Sequence, residues 1–381
     1  MRLFISAGEP SGDMYGAALM NHLRRLKPQL EPFGMGGTQM KAAGVQLTVE
    51  IGASSVVGLS EVAAQLPAFF RKRRILKRAL KQNKPDAAVF IDFPDFHAGI
   101  LEFASRHGIS TVAFIPPKAW AWRPKRGQRY ARAASLVVCV LPFAAQFYAE
   151  AGANVQYAGH PLIGALAETK ALTRNEAKRR IGADEKAPLL AILPGSRVKE
   201  TAALADEMIG AARILRERTP SLNALAALPD SLPENIDAAF PPELPVLRGR
   251  SWELLRAADA ALVKSGTATL EAAIMETPMV VAYRLSAFTY AAARRLSSVR
   301  FSALPNLLLD REVCPELYQE NAAAPQLAAA VSPLLKKDGQ ERAAQIQAFQ
   351  EAAAQLGDEK AMERIARLIL KTADPSGDWN G

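Results

Sequence analysis

Three short stretches of this 381-residue chain place the most capable side chains directly after apolar runs. Asp92-Phe93-Pro94-Asp95 follows Ala87–Ile91. Two carboxylates three apart suit an acid–base pair or metal ligands, but no further hard ligands cluster nearby in sequence. Asp95, beyond the proline, is the better exposed and suits a general base that takes a hydroxyl proton. Asp92 reads as a strand-end residue holding a loop, and His97 as a polar residue at a helix start. Pro194-Gly195-Ser196-Arg197 follows Leu189–Leu193 and precedes a helical stretch, Glu200–Glu217. A glycine, a hydroxyl and a guanidinium at a helix start suit a phosphate. Lys264-Ser265-Gly266-Thr267 follows Ala258–Val263. It would present N–H and O–H groups at a second positive helix end. Glu271, one turn further on, suits either a ribose diol or a capping-box partner for Thr267 or a neighbour. Two phosphate-suited loops on one sheet are more persuasive than either alone.

The remaining candidates are less specific. Ala7-Gly8-Glu9-Pro10-Ser11-Gly12-Asp13 follows the first apolar run. Its glycines let backbone approach a ligand, with Glu9, Ser11 and Asp13 as candidate contacts; Ser11 or Asp13 could equally cap the following helix. No Gly-Lys-Ser/Thr follows, and Gly8, Gly12 and Gly16 lie four apart, so this is neither a P-loop nor a dinucleotide fingerprint. Trp120 and Trp122 lie in a basic loop, where they either stack on a sugar or base or pack beneath it. From spacing alone, Asn306 in Leu304-Pro305-Asn306 reads as a turn residue.

Apolar strands alternating with helical segments predict α/β architecture with parallel sheets covered on both faces. Two such domains fit the length: 1–165 and 166–345, followed by C-terminal helices at 346–373 that pack across both and a frayed tail at 374–381. The composition is 49% apolar, ample for cores. Cys139 and Cys314 read as core residues in a reducing compartment. Arg2–Gly8 is too short for an export signal, and no window reaches the ~20 apolar residues of a spanning helix. Net charge is +9, and residues 1–165 hold 20 Lys and Arg against 10 Asp and Glu, so the whole excess sits there. That points to an anionic partner. A predicted helix, Leu59–Lys84, carries Leu66, Phe69 and Phe70 followed by Arg71, Lys72, Arg73, Arg74, Lys77, Arg78, Lys81 and Lys84. This favours a helix resting on an anionic membrane over a solvated basic face. Nucleic-acid binding is disfavoured because no recognition motif is present, and a dehydrogenase because the fingerprint is missing.

Nine strings occur in one order over residues 4–320: Gly8-Glu9-Pro10-Ser11-Gly12-Asp13, Gly34-Met35-Gly36-Gly37, Asp92-Phe93-Pro94-Asp95-Phe96, Trp120-Ala121-Trp122-Arg123, Leu141-Pro142-Phe143, Gly159-His160-Pro161-Leu162, Leu193-Pro194-Gly195-Ser196-Arg197, Ser265-Gly266-Thr267-Ala268-Thr269-Leu270-Glu271 and Leu304-Pro305-Asn306. Together they resemble the lipid-A-disaccharide synthase family. The resemblance implies a GT-B glycosyltransferase, two Rossmann-like domains facing a central cleft, with UDP-2,3-diacylglucosamine as donor and 2,3-diacylglucosamine 1-phosphate (lipid X) as acceptor. The product would be the β-1′,6-linked lipid A disaccharide 1-phosphate plus UDP. It implies no metal and no cofactor, no nucleic acid, a cytoplasmic protein peripheral to the inner membrane, and is compatible with a homo-oligomer. Carried over by motif, Asp95 matches the base, Arg197 the essential arginine and Asn306 the functional asparagine. Gly195, Ser196, Ser265, Gly266, Thr267 and Glu271 match the nucleotide side. Another GT-B enzyme of UDP-sugars, a UDP-N-acetylglucosamine transferase or epimerase, is the alternative. Pro10, His97 and Pro116-Pro117-Lys118 depart from the family's usual Ala, Asn and Ser-Pro-Ser-like run.

Overall fold

The computed structural model describes residues 1–51, 59–122, 124–286, 290, 295 and 299–379, and the side chains of all of these except 59–66. The Leu66 side chain and Arg123 therefore lie outside the described residues. The chain divides into two compact units, Met1–Gly164 with Leu356–Gly381, and Ala165–Gln355.

The first unit is built on seven parallel strands: β1 (Arg2–Ala7), β2 (Glu31–Gly36), β3 (Gln46–Glu50), β4 (Ala87–Ile91), β5 (Ser110–Phe114), β6 (Leu136–Cys139) and β7 (Val155–Tyr157), in the spatial order 3-2-1-4-5-6-7. β1 and β4 are almost wholly buried because helices cover both faces. Strand order reverses between them, and Ala7 pairs with Ile91, so the loops that leave these two strands emerge side by side. A doubly wound sheet receives ligands at such a reversal.

The second unit repeats the design with β8 (Leu189–Leu193), β9 (Asn223–Leu228), β10 (Val246–Arg248), β11 (Ala260–Lys264), β12 (Met279–Tyr283) and β13 (Glu316–Tyr318), in the order 10-9-8-11-12-13. The reversal lies between β8 and β11, where Leu193 pairs with Val263. Leu190, Ile192, Leu262 and Met208 form part of its core.

Residues 346–373 do not form one block. The helix Gln340–Ala354 belongs to the second unit, where Gln345 accepts from the Met279 N–H and donates to its carbonyl. The helix Ala361–Ala373 belongs to the first unit and packs on Pro10–Leu26. In the segment after it, the Trp379 indole donates to the Asp374 carbonyl at 2.8 Å and lies beneath Lys27. Among the described residues, no helix is long and apolar enough to cross a membrane.

Candidate functional site

In the second unit both loops at the strand reversal start helices, Val198–Arg218 and Thr267–Ile274. Gly195 and Gly266 have φ of +138° and +154°, conformations that residues with a Cβ rarely adopt. These turns bring Ser196, Arg197, Ser265 and Thr267 to the ends of adjacent strands. Arg197 is largely exposed, and Lys264, at the end of β11, joins it through a shared counter-ion, Glu200. Glu200 accepts from the Lys264 ammonium at 2.8 Å, from Arg197 at 3.5 Å and from the Ser196 N–H at 3.3 Å. Two cations and two helix starts thus lie together at the strand reversal, a combination that chemically suits an anionic group.

Glu271 is half-buried, and burial raises its carboxyl above the usual range despite a hydrogen bond to the Trp252 side chain. No capping box forms, because Gly266 occupies the N-cap. Asn306 is not exposed to a ligand. It is fully buried, its amide donates to the Cys314 carbonyl at 2.9 Å and to Glu316 at 2.7 Å, and its oxygen accepts from the Val313 and Cys314 N–H groups at 2.7 and 3.0 Å. Those bonds engage both donors and both lone-pair directions of the side chain. In this arrangement Asn306 ties the start of its helix to Cys314 and to the edge strand β13.

In the first unit, β4 ends in two consecutive left-handed residues, Asp92 (φ 46°) and Phe93 (φ 50°), before the helix Pro94–Arg106. This uncommon backbone is held from several sides. Buried His97 donates from Nδ1 to the Asp92 carbonyl at 2.7 Å, and its Nε2 lies 2.9 Å from the Ser6 hydroxyl. A carbonyl only accepts, so the ring proton sits on Nδ1 and Nε2 accepts from Ser6. Burial pushes the His97 pKa down to about 4, so the ring stays neutral. Tyr130 donates to the Pro94 carbonyl at 2.7 Å. Gly8 leaves room for the Phe93 ring, since a Cβ there would fall 1.9 Å from its Cδ1. The turn carries Asp95 outward with its side chain 76% exposed, ion-paired to Arg126. Arg126 in turn lies over the exposed Trp122 ring at 5.9 Å. Sequence reasoning missed Arg126 as the partner of Asp95, because the two lie 31 residues apart and no local pattern links them.

The other predicted contacts separate. Glu9 is the N-cap of Pro10–Leu26 and Ser11 is exposed in its first turn. Asp13 is buried, and its carboxylate accepts from the N–H groups of Gly37, Gln39 and Met40 at 2.7–3.1 Å. It caps the short helix Thr38–Ala42 rather than its own. Trp120 packs edge-on against Phe143 at 4.6 Å, whereas Trp122 stands out. On the basic helix, Leu59–Asn83, Phe69 packs edge-on against Phe96 and under Arg73. Phe70 (58% exposed) and Ile75 supply the apolar surface, beside exposed Arg71 and Arg74 and half-buried Lys72 and Arg73. A groove lined by Phe70, Arg73, Arg74, Lys77, Arg78, Lys81 and Phe103 runs along it.

Residues 3–370 match the family described as Lipid-A-disaccharide synthetase. The chain is 39% identical over 380 residues to the lipid-A-disaccharide synthase of Koribacter versatilis (strain Ellin345), covering 98% of this chain and 99% of that one. Among solved structures it is similar to UDP-GlcNAc 2-epimerase from Neisseria meningitidis bound to UDP-GlcNAc, with TM-score 0.67, 11% identity and coverage of 97% and 100%. It is also similar to CalG4, the calicheamicin glycosyltransferase, with TM-score 0.61, 16% identity and coverage of 98% and 99%. These two likenesses establish the fold class, two Rossmann-like domains of the GT-B type. With this fold, a match along nearly its whole length and relatives of that identity, the chain belongs to the lipid-A-disaccharide synthase family.

Proposed function

We propose that the protein transfers the diacylglucosamine of UDP-2,3-diacylglucosamine to the 6-hydroxyl of lipid X in one inverting displacement, releasing UDP. The Asp95 carboxylate takes the hydroxyl proton while the oxygen attacks the anomeric carbon and the bond to the diphosphate breaks. Charge then develops on the departing diphosphate. Arg197, Lys264 and the N–H groups of the Ser265–Thr267 turn stabilise it, having been oriented before the reaction. The observation that carries this reading is the gathering of both cations and both helix starts at one strand reversal of the second unit. In the first unit, Arg126 holds Asp95, and Glu9 and Ser11 stand at the start of the neighbouring helix for the acceptor. Trp122 offers an exposed ring for stacking on a sugar face.

Both substrates carry acyl chains, so the enzyme must work where lipid is. The basic helix with exposed Phe70 and Ile75 suits the anionic cytoplasmic face of the inner membrane. Incubating the purified protein with UDP-2,3-diacylglucosamine and lipid X and analysing the lipids by mass spectrometry tests the reaction. The disaccharide 1-phosphate is the expected product. Its absence, or activity only with a non-acylated UDP-sugar, would overturn the assignment in favour of another GT-B enzyme.

A further inference from the structure

We propose that Glu316 is a positioning residue for nucleotide capture, holding the Ser265–Thr267 turn through a relay of hydrogen bonds. The inference rests on the reading of that turn as the diphosphate site.

Glu316 lies on the three-residue edge strand β13, in a stretch without an evident motif. Its Oε2 accepts from the Ser302 N–H at 2.9 Å, from the Ser302 hydroxyl at 2.7 Å and from the Tyr318 hydroxyl. Its Oε1 accepts from the Ala303 N–H at 3.1 Å and from Asn306 at 2.7 Å. A carboxylate offers about four lone-pair positions, so five donors saturate it. It therefore has nothing left to offer a ligand and acts through what it holds. Burial together with the Glu316 carboxylate pushes the Tyr318 hydroxyl well up, which keeps that donor protonated.

The clamped segment passes the constraint onward. The Ser302 carbonyl accepts from the Ser265 hydroxyl at 3.2 Å. The Leu304 N–H donates to the Thr269 hydroxyl oxygen at 3.1 Å, and that hydroxyl donates to the Gly266 carbonyl at 2.7 Å. Glu316 thus reaches both sides of Gly266, whose φ of +154° sets the direction of the N–H groups that follow. Such chains of hydrogen bonds also polarise one another.

The test uses the full chain with UDP as the probe, combining calorimetric binding, steady-state kinetics and thermal unfolding. Glu316→Gln keeps the shape but turns an amide N–H toward the donors. It should raise both the Kd for UDP and the donor KM about tenfold, with a much smaller change in kcat and none in the acceptor KM. Thr269→Val breaks the relay downstream while leaving Glu316 intact, and should raise the UDP Kd in the same direction; it keeps the test open if Glu316→Gln does not fold. Glu312→Gln, at a nearby exposed carboxylate, should change nothing. A folded Glu316→Gln with a lowered Tm but an unchanged UDP Kd would overturn the inference, as would an unchanged Kd in Thr269→Val. A failure of the underlying reading looks different: Gly266→Ala would then bind UDP as the wild type does, or the wild type would not bind it.

Discussion

Replacing Asn306 by alanine separates a brace from a catalytic contact. The substitution removes the partners of the Val313 N–H, the Cys314 N–H and the Cys314 carbonyl, in a place with no solvent exposure. Glu316 loses one donor but retains four. Each buried polar group left without a partner costs roughly 1–3 kcal/mol, so three of them should cost about 3–5 kcal/mol once the loop relaxes. A domain of 150–250 residues shifts its Tm by about 2–4 °C per kcal/mol, which places the expected loss for the second unit near 10 °C. Calorimetry of the full chain reads this as an earlier transition of that unit, with UDP binding weakened in the same variant because the segment before Asn306 supports the Ser265 turn. Because two units need not melt together, the transition should be followed with and without UDP. An Asn306→Ala protein that unfolds with the wild type but has lost turnover would rule out the bracing role and return Asn306 to direct contact with the reacting groups.

Other outcomes follow from the same geometry. Asp95→Asn should lower kcat by about 10²- to 10⁴-fold while leaving the UDP Kd within twofold, checked by kinetics and calorimetry. Glu200→Gln removes the shared counter-ion of Arg197 and Lys264, so UDP should bind more tightly and with a steeper salt dependence; weaker binding would contradict the placing of the diphosphate there. Burial holds His97 and His160 neutral, with pKa values pushed down to about 4 and about 3. The unfolded chain therefore takes up those protons first: stability is full above about pH 6.5 and falls as pH drops toward 4, by about 3 kcal/mol for His97 alone. Urea midpoints between pH 7.5 and pH 5 check this, and His97→Asn should show the shallower loss. Arg71→Glu with Arg74→Glu should cut binding to phosphatidylglycerol vesicles by an amount worth at least about 1 kcal/mol per site, with Phe70→Asp adding to it, as read by sedimentation.

The site was legible in the sequence to different depths. The loops after β1, β4, β8 and β11 could be read because each follows a largely apolar run and combines glycine or proline with a functional side chain. Strand order made them a site, by placing the members of each pair at a reversal. Less legible were β2, whose Glu-Pro-Phe-Gly-Met-Gly looks like a turn, and the edge strands β3, β10 and β13, which are short and half-exposed. At Gly34 a Cβ would lie 2.0 Å from the Ile5 carbonyl oxygen, so that glycine marks strand packing that spacing alone does not reveal. Long-range partners were invisible. Asp13 meets Gly37 across 24 residues and Asp95 meets Arg126 across 31, and no local pattern announces either pair. Asn306 could be read as a turn residue or, by resemblance, as a functional one; only the bonds around it separate structural from chemical necessity.

On this mechanism the leaving diphosphate is received at the strand reversal of the second unit. A crystal structure with UDP bound tests it most directly. The diphosphate should lie against the Ser265–Thr267 turn, within reach of Arg197 and Lys264, with Glu200 released from at least one of the two cations. UDP bound instead against the Gly8–Gly12 loop of the first unit, or anywhere away from that turn, would contradict it.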